Sequence, residues 1–530
     1  MRSSNSRPSA TSPTDRSGVT ALRHRLVSAV LQAAPDPGLE SAVRRTSPRF
    51  TNLLAGAALI YAGSCAPGAP APGVLMVSLD TVRADALSCY ADSQGQVAPS
   101  TPQLDALATR GIRFAHVFAS SPNTAPSHAT LFTGLLPMAH QVANLASPDR
   151  GTPALAPDLV TLAERFADAG YETLALTDDG PLGNTWQLLA GFERRRARYQ
   201  DVSRKARNAI EWLQDREDPR PPFVFFHTYQ AHQPFLPPAE FEQRFAGDYA
   251  GPLRERVAEL RSTHRTGELD NTGRDLMRGR ESFDSADIAY LRALYLAEVA
   301  YTDQELGGLL DALPTPADPK ERRWIVNVTA DHGEEFAEHG HFGHAQLYRE
   351  TLHVPWILSL GDSHLSGLVF EPEVGLVDVA STLLDAAGLA PTPLVPNRSL
   401  LPYLEADLSP ERPLFANTNE HLLLQDQVAF RSGVRHGGLT LLETKRPGSS
   451  ETESLLFDRA NDPQELGALA PGDASLELKR NELRGRLAEQ LAQSKRLGRE
   501  LRGFEGPYIV VTDATTLDQM RALGYVDGSQ

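Results

Sequence analysis

Apolar runs of strand length recur through the middle of the chain, and polar residues stand at the end of each. Residues 74–79, 173–176, 223–226 and 324–330 are such runs, and unbroken ones fit parallel strands buried on both faces. They end at Asp80, at Thr177-Asp178-Asp179, at His227 with His232 close behind, and at Asp331-His332. Open α/β sheets bind their ligands outside the carboxyl ends of their strands. Helical patterns lie between the runs. Residues 101–111 carry a Thr cap, a Pro start and a Gly stop, and 112–118 resume an extended pattern. Residues 158–169 place Leu159, Leu162, Ala163 and Phe166 on one face, and 290–313 form a long amphipathic helix through Leu294, Ala297, Tyr301 and Leu306. Residues 241–283 are charged and poor in apolar positions, and are read as a surface insertion walling one side of a site. A helix is expected over 374–387. Beyond it the pattern changes to short strand-like runs with Gly turns over 413–458, then a charged amphipathic helix over 476–501. The runs at 509–511 and 517–525 are expected to dock back on the body.

The first residues follow another pattern. Residues 1–43 are rich in Ser, Pro, Arg and Thr and read as a disordered leader. Residues 44–65 run from Arg44-Arg45 through an apolar stretch, 53–61, to Ala62-Gly63-Ser64-Cys65, which is the order of a secretory signal. A cysteine after small residues resembles a bacterial lipoprotein cleavage site, with Cys65 lipidated and Val43 as a displaced start. The expectation is an exported, periplasmic or membrane-anchored lipoprotein. The alternative is an uncleaved leader on a cytoplasmic enzyme. With 530 residues and 41% hydrophobic content the chain can bury a large core. Its net charge of −16 argues against a polyanionic partner, so no nucleic acid is expected. Two cysteines, Cys65 and Cys89, supply neither a disulfide framework nor a Cys-rich metal site.

Two stretches carry candidate chemistry. In residues 121–134, Pro126 suits a first helical position and Gly134 a helix stop, which puts Thr124 just before a helix N-terminus. Unpaired N–H groups and the helix dipole favour negative charge there, so the hydroxyl can serve as an alkoxide or hold an oxyanion. An isolated Thr-x-Pro is more often only a cap, and the second stretch decides between these readings. After the strand 324–330 come Asp331, His332, Glu334 and Glu335, then Glu338, His339, His341 and His344. Carboxylate and imidazole are the ligand types of a borderline divalent cation such as Zn or Mn, and Asp adds affinity for Mg or Ca.

Several segments, in order, resemble the sulfatase family of the alkaline phosphatase superfamily. They are Ser78-Leu79-Asp80-Thr81-Val82-Arg83-Ala84-Asp85, Thr101-Pro102-x-Leu104-Asp105, Thr124-x-Pro126-Ser127 through Thr133-Gly134, and Asp331-His332-Gly333-Glu334. His232 in His-x-Pro-Phe, Glu298 to Asp303, Leu347-Tyr348-x-Glu350-Thr351-x-x-Val354-Pro355 and Leu456-Phe457-Asp458 with Asp462-Pro463 add to them. The resemblance implies an alkaline-phosphatase-like α/β fold: a central, mostly parallel sheet flanked by helices in a catalytic domain over 66–410, and a smaller antiparallel-sheet subdomain with a helix and tail over 411–530. It implies one divalent metal cation (Mn, Zn, Mg or Ca) on Asp80, Asp331 and His332, with Thr124 as nucleophile on the same metal. His344 then stands against the substrate oxyanion or leaving group, His232 binds substrate or donates a proton, Arg83 binds substrate and His128 joins the catalytic set.

The departures redirect the chemistry. The family position oxidised to formylglycine is Thr124, so no formylglycine is expected. The arginine four residues on is His128, the second aspartate of the first-strand pair is Thr81, and Thr177-Asp178-Asp179 replaces a Gly-Lys-x-His segment. These changes resemble threonine-nucleophile phosphoester hydrolases. The expectation is a metal-dependent hydrolase of a phosphate mono- or diester, its substrate a small anionic ester that is glycan- or lipid-linked. The alternatives are a sulfuric ester hydrolase, a phosphotransferase to a lipid or glycan acceptor, and a non-catalytic binding protein.

Overall fold

The apolar runs become neighbouring strands of one sheet. In the computed structural model the described residues are 70–91, 101–147, 149–198, 201–263, 276–277, 279–314, 323–361, 363–390, 399–419, 428–512 and 514–522. The leader, the signal-like segment 44–65 and Cys65 lie outside them. The main sheet has nine strands: β1 (Gly73–Leu79), β2 (Ile112–Phe118), β3 (Glu172–Thr177), β4 (Arg194–Ala197), β5 (Pro222–Thr228), β6 (Trp324–Ala330), β7 (His353–Val354), β8 (Trp356–Ser359) and β9 (Leu368–Gly375). β1 is central and pairs in parallel with β5 on one side and β6 on the other. β3 and β4 continue beyond β5, both parallel. On the other side, β8 lies antiparallel between β6 and β2, and β7 is antiparallel to β2 as well. β9 pairs in parallel with β2. The antiparallel strands arise because the chain leaves β6 at the carboxyl edge and returns alongside it. β1, β5 and β6 are buried along their whole length, which is why they read as unbroken apolar runs.

Seven helices matter for the site and its support: α1 (Pro102–Thr109), α2 (Thr124–Thr133), α3 (Leu162–Asp168), α4 (Val202–Asp215), α5 (Ser285–Asp311), α6 (Val379–Ala386) and α7 (Ala474–Arg502). Three boundaries differ from the sequence reading. α3 starts late because Thr161 and Glu164 form a reciprocal capping box. Val374 belongs to β9, and α6 begins only after a short 3-10 turn at Leu376–Asp378. α2 begins at Thr124 itself, with Asn123 as its N-cap residue. Pro126 is therefore the third helical residue, a position it tolerates because early helical N–H groups have no intrahelical acceptor. The expected Thr101 cap is also replaced. Its side chain makes no cap bond, and Asp303 of α5 accepts from the amides of Gln103 and Leu104 instead, at 3.1 and 2.9 Å.

A four-stranded antiparallel sheet follows: β10 (Leu414–Asn417), β11 (Phe430–His436), β12 (Leu439–Lys445) and β13 (Thr452–Asp458). Leu483 and Leu487 of α7 pack on Val434, Leu441 and Leu456 of this sheet. The tail docks where Tyr508–Val510 pairs with Thr152–Ala154. Among the described residues no helix is long and apolar enough to cross a membrane.

Candidate active site

The register of three strands assembles the centre. Ser78 lies opposite His227 and Thr329, and Leu79 opposite Thr228 and Ala330. Asp80 and Asp331 thus leave the sheet side by side, with His227 two rows further in. α2 brings the fourth element. All ten of its residues are buried, and Ser127 Oγ donates to the Asp331 carbonyl at 2.6 Å, tying the helix to the end of β6. The Ala125 amide finds the Asn144 side-chain carbonyl at 2.9 Å.

Thr124 Oγ1 is held 3.4 Å from Asp80 Oδ2 and 3.3 Å from His332 Nε2. His332 Nε2 is 3.4 Å from Asp331 Oδ2, and its Nδ1 donates to the Gly333 carbonyl at 3.0 Å. That bond fixes the proton on Nδ1 and leaves the Nε2 lone pair towards Thr124 and Asp331. Thr81, where a second carboxylate is missing, has φ +58°. Its hydroxyl donates to the carbonyls of Asp80 and Ala231 at 2.7 and 3.1 Å, so it offers nothing to the centre.

These residues fit a divalent cation. Asp80 Oδ1 and Asp331 Oδ2 are buried without a hydrogen-bond partner among the described residues, a costly state for a carboxylate unless a cation meets it. Burial, reinforced by the Asp331 charge, pushes Asp80 well above the usual carboxylate range. Burial also raises Asp331 and lowers His332 to about 3, which keeps its imidazole neutral. Ligand atoms of Asp80, Asp331 and His332 all lie within 4.8 Å of one another. The separations of 3.3 to 3.4 Å around Thr124 and His332 are those of neighbouring ligands on a metal whose bonds are about 2.0–2.1 Å.

Two more histidines lean over this group. The rings of His332 and His344 are 4.4 Å apart, and those of His344 and His232 are 5.6 Å apart. His344 Nδ1 donates to the Pro122 carbonyl at 2.9 Å and His232 Nδ1 to the Gln233 carbonyl at 2.7 Å. Burial lowers His232 to about 4 and drives His344 well below its ordinary value, so both are neutral near pH 7. His339 turns away, stacked on Tyr348 at 3.7 Å and 3.0 Å from Glu335.

Arg83 and His128 are placed differently. The Arg83 guanidinium binds both oxygens of Asp85 at 2.8 and 2.7 Å and Glu338 Oε1 at 2.5 Å. It is thus engaged by two carboxylates. His128 Nδ1 donates to the Thr124 carbonyl at 2.8 Å, with Asp331 Oδ2 at 3.5 Å, while Nε2 meets Ser78 Oγ at 2.9 Å. Both ring nitrogens are occupied inside the fold, beneath the hydroxyl.

Three residues near the centre were given no role by the sequence: His227 and Asp178, noted only as strand-end residues, and Lys205. His227 Nε2 is 3.4 Å from Asp80 Oδ2. Asp178 and Lys205 form a buried ion pair at 2.5 Å behind it. His227 and Asp178 do stand at strand ends, a usable signal. Lys205 lies on α4, where a lysine ordinarily marks a solvated face.

The family model for sulfatases matches residues 72–389, a span that contains every residue of this centre. The chain belongs to the sulfatase family. The uncharacterized sulfatase YidJ of Escherichia coli (strain K12) is 24% identical over 439 residues, covering 74% of this chain and 82% of that protein. Among solved structures, one in complex with its substrate D-glucosamine-2-N,6-O-disulfate superposes with TM-score 0.63 at 20% identity, covering 80% of this chain and 98% of that one. The phosphonate monoester hydrolase of Agrobacterium radiobacter superposes with TM-score 0.60 at 23% identity, covering 80% and 96%. These neighbours share the mostly parallel sheet flanked by helices, and a sulfatase family member with this site is an ester-hydrolysing enzyme.

Proposed function

We propose that this chain hydrolyses a phosphate mono- or diester, with Thr124 Oγ as the nucleophile. The observation that carries the reading is the Thr124 hydroxyl between Asp80 Oδ2 and His332 Nε2 at the first residue of a buried helix. A threonine hydroxyl is a secondary alcohol, and its oxidation gives a ketone rather than the formylglycine aldehyde. The nucleophile is then the alkoxide itself. Asp80, Asp331 and His332 would hold the divalent cation, which supplies Lewis-acid stabilisation of that alkoxide, as metal-bound water falls from pKa ~15.7 to ~7.

Thr124 Oγ attacks phosphorus, the bond from phosphorus to the leaving alcohol oxygen breaks, and the alcohol leaves with a proton. The product on the enzyme is a phosphothreonine, which water cleaves to free phosphate, or to the remaining monoester, and the restored hydroxyl. His232 and His344, neutral in the free protein, face the position of the transferring group. An anionic ester beside them favours their protonated forms, so either can then donate to the leaving oxygen. The amides at the start of α2 add positive potential on the same side. Arg83 supports this arrangement by holding Asp85 and Glu338 beside the loop that follows Asp80.

A sulfate ester is the second reading, favoured by the fold neighbour whose substrate is a glucosamine disulfate. That neighbour also supports a glycan-linked anionic substrate. Metal-stripped protein restored singly with Mn, Zn, Mg or Ca and assayed on aryl phosphate, phosphodiester and aryl sulfate separates the two. Turnover of phosphate esters is expected; turnover of sulfate alone would overturn the phosphoester reading. As part of the same proposal, export with a lipid at Cys65 would keep the enzyme near glycan or lipid substrates. An unmodified peptide spanning Ser64 and Cys65 in protein from the native host would sink that element.

A further inference from the structure

His227 is placed as a ligand would be. Its side chain is wholly buried at the end of β5. Nε2 lies 3.4 Å from Asp80 Oδ2, long for a hydrogen bond yet equal to the 3.4 Å separating Thr124 Oγ1 from the same oxygen. Nδ1 has no hydrogen-bond partner among the described residues. An ordinary core histidine satisfies both nitrogens, as His128 does with Thr124 and Ser78.

The surroundings of Nδ1 fit the same role. Asp178 Oδ2 faces it across 3.9 Å. That oxygen accepts Lys205 Nζ at 2.5 Å and the Tyr229 amide at 2.9 Å, and Lys205 Nζ also donates to the His227 carbonyl at 2.6 Å. The Lys205 ammonium against Asp178 favours its carboxylate form. A carboxylate 3.9 Å from Nδ1, beyond a hydrogen bond, favours the proton on that nitrogen and leaves the Nε2 lone pair towards Asp80, in the manner by which carboxylates orient metal-bound histidines.

We propose that His227 is a ligand of the cation held by Asp80, Asp331 and His332, that Asp178 and Lys205 position its ring, and that the centre is therefore a zinc-class site. The nitrogen adds a ligand to a set to which the Thr81 hydroxyl, bonded to the Asp80 and Ala231 carbonyls, contributes none. Two imidazoles shift preference from calcium and magnesium, which select oxygen, towards zinc. His227 also groups with His128 and Asp331, their ligand atoms within 4.8 Å of one another, but His128 is left out of the set because both its nitrogens are engaged.

The inference rests on the metal-dependent reading of the site but not on its substrate. The test is X-ray absorption on zinc-loaded wild-type protein together with zinc titration of the metal-free form. Two imidazoles at zinc are expected; one imidazole overturns the role of His227. His227→Ala is expected to weaken zinc binding at least 100-fold, and Asp178→Asn by 10- to 100-fold, with circular dichroism of the metal-free proteins matching wild type. Zinc binding within twofold of wild type in a folded His227→Ala protein would also overturn it. A wrong substrate assignment changes neither measurement, and failure of wild type to bind any divalent ion would sink the metal reading as a whole.

Discussion

Thr124 Oγ1 stands 3.3 Å from His332 Nε2, and the two residues come from opposite ends of the catalytic segment. Only the Nε2 lone pair of His332 faces the hydroxyl, because Nδ1 is committed to the Gly333 carbonyl. The hydroxyl therefore meets acceptors on two sides, His332 Nε2 and Asp80 Oδ2, and a cation held by these same groups would favour its ionised form. Thr124→Ala is expected to lower kcat at least about 10³-fold while the melting temperature stays close to wild type. Thr124→Ser, which keeps the oxygen, is expected to retain activity within about tenfold, as oxygen position rather than the methyl carries the chemistry. Activity of the Ala variant near the wild-type level would remove Thr124 from the mechanism.

Metal removal should show a characteristic pH dependence. Burial raises the folded-state values of Asp80 and Asp331 above the unfolded value of 3.8. For a raised carboxyl the unfolded chain loses its proton first. The stabilising contribution is present below about pH 4 and is lost as pH rises towards the folded value. Chelated protein is therefore expected to become less stable as pH increases above about 4, whereas loaded protein has its carboxylates compensated. A cation at 100 times its Kd adds about 2.7 kcal/mol. Melting curves with chelator and with zinc, from pH 5 to pH 8, should diverge as pH rises; parallel curves would contradict the buried, uncompensated pair.

Much of the fold is legible because its central strands are buried on both faces. β1, β5 and β6 appear as unbroken apolar runs, and Asp80, Asp331 and His332 follow them directly. The antiparallel β8 is not legible, since nothing in residues 356–359 reports the direction of its neighbours. His227 is visible as a histidine at a strand end, but it has no assignable partner until the register sets it beside Ser78 and hence near Asp80. Lys205 looks like a solvated helix residue, and only the packing of α4 shows that its ammonium is buried on Asp178. Pro126 misplaces the start of α2 because proline is acceptable at several positions of a first turn. Strand ends are local facts, whereas ligand sets depend on register and packing between distant segments.

Gly333 marks a place where the metal loop has no room. A Cβ added there would lie 2.0 Å from the Glu350 carbonyl oxygen and 3.1 Å from its carbon. Both are backbone atoms, and the Gly333 amide is itself bonded to the Thr351 carbonyl at 2.8 Å. The clash can be relieved only by a backbone shift, of the loop that carries Asp331 and His332 or of the Glu350 segment packed on it. Gly333→Ala is expected to destabilise by about 1–3 kcal/mol and to weaken zinc binding at least tenfold, measured by thermal melting and metal titration on the same preparation. An unchanged zinc affinity would mean that the loop is not held by this contact.

Glu298 links the long helix α5 to the loop that carries His232. Its Oε1 accepts from the Leu236 amide at 2.9 Å and its Oε2 from Gln230 at 2.8 Å. Burial nevertheless dominates and raises its pKa from 4.5 to about 8, so the group is protonated in the folded protein near neutrality. The unfolded chain releases this proton at lower pH. Stability from this residue is complete below about pH 4.5 and falls as pH rises through 8, with a limiting slope of about 1.4 kcal/mol per pH unit for one proton. With zinc present, so that Asp80 and Asp331 are compensated, wild-type protein is expected to melt at lower temperature at pH 8 than at pH 5. Glu298→Gln cannot ionise, and its melting temperature should change less over that interval even if its absolute stability is lower. A slope in the variant equal to that of wild type would show that the proton taken up on folding resides elsewhere.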